Sequence, residues 1–176
     1  MSNPTKADKR FEKTLQFLKQ NLDTSKSILD LGTPNLMSEA MKSEGYKVLN
    51  TSGEDFDVEF KKIISSFDVD CYTSFEVFEH LLAPYNILKE IPKGKRLICS
   101  VPLNVWFSKA YWNEDNDWDK HYHEFEPRQF DFLLEKTGWT IIKKELWASP
   151  DKFRWGIRPL LRYIFPSYYF VVAEKL

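Results

Sequence analysis

The sequence predicts an α/β fold, a mostly parallel β-sheet covered by helices on both faces. Short apolar runs, such as Ser27 to Leu31 and Leu97 to Val101, alternate with stretches whose apolar residues recur every three or four positions. Glycines fall where helices stop: Gly45 follows Met37 to Glu44, and Gly138 follows Arg128 to Thr137. Strands that alternate with helices need crossover connections, and crossovers make parallel sheets.

Each element follows in order. Residues 6–22 read as an amphipathic helix, with Phe11, Leu15, Leu18 and Leu22 on one stripe. Residues 26–31 are a strand, 35–44 a helix and 46–50 a strand. Residues 51–60 are a loop with a short strand near Val58, and 61–66 a short helix. Residues 69–74 are a strand, 76–81 a helical turn and 84–91 a helix. Residues 95–101 are a strand, and 127–137 a helix with Pro127 at its first position. Residues 139–147 are a strand, 157–165 a helix and 168–175 the last strand.

At 176 residues the chain is expected to form one domain, 1–176, with an N-terminal helical part at 1–25 and an aromatic lid at 102–126. Lysine plus arginine number 25 against 26 aspartate plus glutamate, so no global field favours nucleic acid or an acidic membrane surface. No apolar run is long enough to span a bilayer. The polar start, Met1 to Arg10, has no signal-peptide pattern. Cys71 and Cys99 lie in apolar runs and read as buried thiols of a cytoplasmic protein.

A parallel sheet binds ligands beyond the carboxyl ends of its strands. The chemistry is therefore sought after residues 31, 50, 74 and 101. Asp30-Leu31-Gly32-Thr33-Pro34-Asn35 is a strand end with a turn entering a helix, which suits a nucleotide cradle. It is equally an ordinary strand–helix turn with Asn35 as N-cap. Glu76, Glu79 and His80 stand at i, i+3 and i+4 and share one face of a helical turn. Such a face holds a divalent ion, does acid–base work, or is merely solvated, with His80 bonded to backbone. The loop 102–126 is rich in aromatic and acidic residues, and it carries His121 and His123. Loops of that length inside a domain are usually functional, here as a lid over the strand ends; the other reading is an aromatic mini-core under a loop. The segment 150–165, with Lys152, Arg154, Arg158 and Arg162, reads as a phosphate-binding patch or as the solvated face of a surface helix.

Together these segments resemble the class I S-adenosylmethionine-dependent methyltransferases of the small-molecule type. Ile28-Leu29-Asp30-Leu31-Gly32 is similar to the family's first-strand signature. Val69 to Leu81 resembles its F-D-x-V-x-x-x-E-V-x-E-H-L segment, and Ile91 to Pro102 its L-K-P-G-G-x-L-x-x-S-x-P segment. His121 to Trp139 and the final Tyr169 to Ala173 follow in the family's order. The resemblance implies a Rossmann-like sheet with an antiparallel last strand. It implies S-adenosyl-L-methionine bound at Asp30, Gly32, Thr33, Asn35, Asn50, Ser74 and Phe75, and a catalytic base at His80 or His123. Two departures stand out. Thr33-Pro34-Asn35 replaces most of the glycine-rich turn, and Asn50 stands where an acidic residue is expected. Only 40 residues separate Asp30 from Asp70, so a strand–helix unit is trimmed between the family's second and fourth strands.

The activity implied is O- or N-methylation of a small molecule. The alternatives are a non-catalytic binding module with an eroded cofactor site, and a metal-assisted RNA 2′-O-methyltransferase. The latter resembles this chain in pairing E-x-x-E-H with His123-Glu124-Phe125-Glu126, but the net charge of −1 and the acidic lid oppose RNA. A divalent metal is expected on Glu76, Glu79, His80 and His123, converging beneath the lid.

Overall fold

The computed structural model describes residues 6–148 and 157–176; of residues 6–9 and 158–160 only the backbone is described. Six strands form one sheet: β1 (Ser27–Asp30), β2 (Lys47–Asn50), β3 (Cys71–Phe75), β4 (Arg96–Pro102), β5 (Trp139–Ala148) and β6 (Pro166–Lys175). Their order is β2-β1-β3-β4-β6-β5. The first four are parallel, and β6 runs antiparallel to both of its neighbours, β4 and β5. β5 therefore points the same way as β1 to β4. The predicted fold class, including the antiparallel last strand, is observed.

The trimmed unit shows on one edge. Between β2 and β3 the chain forms only a helix, Phe60–Ser65, and β2 has β1 as its sole sheet neighbour among the described residues. The strand expected near Val58 is absent: that residue sits in a turn, its N–H bonding the Asp55 carbonyl.

Alternation along the strands divides the core in two. Ile28, Cys71, Ile98, Phe170 and Val172 meet Phe17 and Leu18 of α1 (Lys6–Asn21) and Met41 of α2 (Leu36–Ser43). Their neighbours Leu29, Tyr72, Leu97, Val171 and Ala173 face the other way. There they meet α3 (Phe60–Ser65), α4 (Pro84–Glu90) and α5 (Pro127–Lys136) through Ile63, Ile87 and Phe130. α1 and α2 thus cover one face and α3 to α5 the other. Cys71 and Cys99 are buried free thiols, and burial pushes both pKa values up.

The last strand also closes a helix. Lys175 Nζ donates to the carbonyls of Leu88 and Lys89, each at 2.8 Å, at the C-terminal end of α4. Those carbonyls have no partner within the helix. A sixth helix, α6 (Ile157–Ile164), joins β5 to β6. No helix among the described residues is long and apolar enough to cross a membrane.

Candidate functional site

The order of the strands reverses between β1 and β3, so the crevice between their carboxyl ends is where a ligand fits. A cavity of about 370 Å³ opens there, lined by Arg10, Thr14, Asp30, Gly32, Phe75 and Glu76 among others. Thr33 and Asn35 also line it, whereas Asn50 and Ser74 do not.

Asp30 ends β1 almost fully buried. It accepts from Thr73 Oγ1 at 2.6 Å and from Asn50 Nδ2 at 3.2 Å. Burial pushes its carboxyl up to about 6, against the pull of those hydrogen bonds. Asn50 also donates to the Gly32 carbonyl at 3.3 Å. Its amide, expected among the cofactor-binding groups, is thus turned inward and braces the cradle. Gly32 donates its N–H to Thr51 Oγ1 at 3.0 Å. A Cβ at Gly32 would meet no atom within 4 Å, so the space in front of it is open.

The turn that follows is held by its own cap. Asn35 Oδ1 accepts from the N–H groups of Met37, at 2.8 Å, and Ser38, at 3.0 Å. Ser38 Oγ in turn accepts from Asn35 N–H at 3.0 Å, which completes a capping box. The Asn35 amide oxygen is therefore committed to α2, while its Nδ2 donates to the Thr33 carbonyl at 3.1 Å. Pro34 beside it has no N–H to offer a ligand.

The segment after β3 departs from the helical turn predicted for 76–81. Only Phe78–His80 is helical, and as a 3₁₀ turn. Glu76 precedes it with φ +59°, the left-handed region that a side chain disfavours. Three contacts hold it there. Its N–H donates to the Ser100 carbonyl at 3.1 Å, Ser100 Oγ donates to Oε1 at 2.7 Å, and Arg10 Nη1 lies 3.3 Å from Oε2. Glu76 thus lines the cavity instead of sharing a helix face with Glu79 and His80.

Glu79 is buried at 1% exposure, and its Oε2 has no hydrogen-bond partner. Burial, and then the neighbouring charge of Glu76, push its carboxyl well above the usual range. Its Oε1 lies 3.9 Å from His80 Nε2. His80 Nδ1 is 3.1 Å from the Lys120 carbonyl. A carbonyl only accepts, so Nδ1 carries the hydrogen, and in the uncharged tautomer the lone pair is on Nε2. The His121 ring packs edge-on at 4.8 Å from that of His80 and lies 5.0 Å from that of Tyr111. Burial, then the charge of His80, push the His121 pKa down.

The expected metal quartet of Glu76, Glu79, His80 and His123 is not assembled. Among the described residues, the group whose ligand atoms all lie within 4.8 Å of one another is Glu79, His80 and His121. The backbone explains the exchange. The N–H groups of Tyr122 and His123 both donate to the Glu79 carbonyl, at 2.8 and 3.2 Å, so the chain turns there. His123 is swung onto Phe125, ring centroids 5.4 Å apart, with Nε2 3.2 Å from the Leu82 carbonyl. His121 is left facing His80.

The lid largely covers itself. Phe107 and Phe125 are buried, Leu103 bridges Phe125, and Trp112 bridges Lys120, while Trp106 and Trp118 project outward. A second cavity of about 210 Å³ lies between the lid and the end of β4, lined by Leu103, Tyr111, His121, Glu124, Arg162 and Tyr168. Of the basic segment, Lys152 and Arg154 lie outside the described residues. Arg10 and Thr14 were missed by the sequence reading, because nothing in an amphipathic helix marks which turn will overlie a distant strand end.

No family model and no curated protein matches the sequence. Solved structures do match. A methyltransferase from Archaeoglobus fulgidus described as SAM-dependent superposes with a TM-score of 0.59 at 14% identity, over 94% of each chain. The geranyl diphosphate C-methyltransferase of Streptomyces coelicolor, solved with Mg²⁺, geranyl diphosphate and S-adenosyl-L-homocysteine, gives 0.62 at 11% identity, over 94% of this chain and 78% of its own. The [4+2]-cyclase SpnF gives 0.59 at 11%, over 94% and 80%. A cyclase on the same framework means that the framework alone does not name the reaction. The chain shares the Rossmann-like fold of the S-adenosylmethionine-dependent methyltransferases.

Proposed function

We propose that the protein is an S-adenosylmethionine-dependent methyltransferase that methylates an oxygen or nitrogen of a small molecule, and that the whole chain is one cytoplasmic domain. The cavity in front of Gly32, lined by Asp30, Glu76 and Arg10, carries the reading. Its volume lies at the small end of the roughly 300–1,000 Å³ of small-molecule sites. One cation beside two carboxylates matches the zwitterionic amino-acid end of the cofactor: Arg10 takes the carboxylate, and Asp30 and Glu76 the ammonium. Gly32 leaves room for the chain to lie against the strand end. Bound there, the cofactor supplies an electrophilic methyl group on a sulfonium.

The protein's own part is to position the acceptor and to take its proton. Of the two histidines proposed as base, His80 is the better arranged, since its Nε2 keeps a lone pair beside Glu79. The cavity under the lid, beside His121, suits the acceptor. The acidic lid speaks for a small molecule over RNA.

A binding module without catalysis is the second reading. Pro34 in the turn and the inward-turned Asn50 favour it, since both remove contacts from the cofactor. Titration calorimetry with S-adenosylmethionine and S-adenosylhomocysteine separates the two: saturable heat that Gly32→Val abolishes supports the methyltransferase, and no heat at millimolar cofactor supports the module.

A further inference from the structure

We infer that Glu79, His80 and His121 form a binding site for a divalent first-row transition ion, with His121 on the lid as the third ligand. Three observations carry it. The ligand atoms of the three side chains lie within 4.8 Å of one another. Glu79 Oε2 is an orphaned carboxylate oxygen on a residue at 1% exposure, and burying it without a partner is costly. His80 is already arranged as metal-bound histidines are, with Nδ1–H donated to a backbone carbonyl and Nε2 turned toward Glu79.

The surroundings suit a cation. Asp119 acts on both imidazoles and Glu76 acts on Glu79, so negative charge faces the cluster from the lid and from the strand end. Lys120, the nearest lysine in sequence, is ion-paired with Asp117. Ligand atoms around a tetrahedral ion with bonds near 2.0–2.2 Å stand roughly 3.3 Å apart, so closure asks for small side-chain rotations. Two imidazoles and one carboxylate select Zn²⁺, Co²⁺ or Mn²⁺ over Mg²⁺, which prefers an all-oxygen shell. Three protein ligands would leave coordination positions unfilled on such an ion, and His121 also lines the cavity under the lid. An ion there also ties the lid, through His121, to the turn after β3.

This site does not depend on the methyltransferase reading, because its readout is the ion itself. The test is Co²⁺ titration of the full chain, followed by visible absorption and equilibrium dialysis. One Co²⁺ per chain is expected, with visible bands of a nitrogen–oxygen site that Zn²⁺ quenches and millimolar Mg²⁺ leaves in place. Glu79→Gln and His121→Ala should each weaken binding at least about tenfold. His123→Ala should bind within about twofold of the parent, because that ring lies on Phe125, away from the cluster. The inference is overturned if the folded chain binds no stoichiometric Co²⁺, if His121→Ala binds like the parent, or if His123→Ala loses as much as His121→Ala. His121 is only partly buried on the lid, so its variant reports on the site even if Glu79→Gln impairs folding.

Discussion

Arg10 Nη1 lies 3.3 Å from Glu76 Oε2, joining the N-terminal helix to the strained residue after β3 across 66 positions of sequence. The pair is partly exposed, so as an ion pair it contributes little to stability, about 0–1 kcal/mol. Its value lies in placing a cation in a cavity whose other charged lining residues are Asp30 and Glu76.

Arg10→Met should therefore leave the thermal midpoint nearly unchanged and weaken S-adenosylmethionine binding about tenfold, the loss of one charge-assisted hydrogen bond. Calorimetry of the variant checks this. A stability loss with unchanged affinity would make the pair structural.

Gly32 tests the cradle by volume. A Cβ there meets no atom within 4 Å, and Gly32 lines the cavity, so added bulk takes space beside the ligand. Gly32→Ala should weaken cofactor binding and Gly32→Val abolish it, with both variants retaining the far-ultraviolet dichroism of the parent. Binding by Gly32→Val equal to the parent's places the ligand elsewhere.

Asn35 separates two roles. Its side chain caps α2, so Asn35→Ala should cost about 0.5–2 kcal/mol of unfolding free energy. Cofactor affinity should fall by less than about threefold, since the oxygen removed serves the helix and the Nδ2 removed serves the Thr33 carbonyl. Chemical denaturation and calorimetry on one preparation give both numbers.

Asp30 makes stability depend on pH. Its carboxyl titrates at about 6 in the folded chain because burial disfavours the charge. Unfolded, it titrates near 3.9. Between these values the folded state holds a proton that the unfolded state has released, so the group's contribution is full below about pH 4 and is lost as pH rises through 6. The change is on the order of 2–3 kcal/mol. Unfolding free energies between pH 4 and 7 should fall more steeply in the parent than in Asp30→Asn, where the fall owed to the raised Glu76 and Glu79 carboxyls remains. Cofactor affinity should run the other way, rising as Asp30 ionises to meet the ammonium.

The fold was legible because it is written in local patterns. The apolar run at Ile28 and Leu29, the helix stop at Gly138 and the first-turn proline Pro127 each fix an element with no knowledge of the rest. The missing strand was legible from the short span between Asp30 and Asp70. The site was less so. Glu76 breaks the helical spacing that seemed to join it to Glu79 and His80, because Ser100 and Arg10, both remote in sequence, hold it at positive φ. The exchange of His123 for His121 depends on two backbone N–H groups converging on one carbonyl, which side-chain identities do not encode. Asn50 illustrates the same limit: its amide could reach outward or inward, and the buried charge of Asp30 draws it in.

The most direct test of the account is titration calorimetry of the full chain with S-adenosylmethionine at pH 7.5, repeated with Gly32→Val. The account predicts saturable one-to-one binding by the parent and none by the variant. A folded parent that shows neither heat nor thermal shift at millimolar cofactor would contradict it.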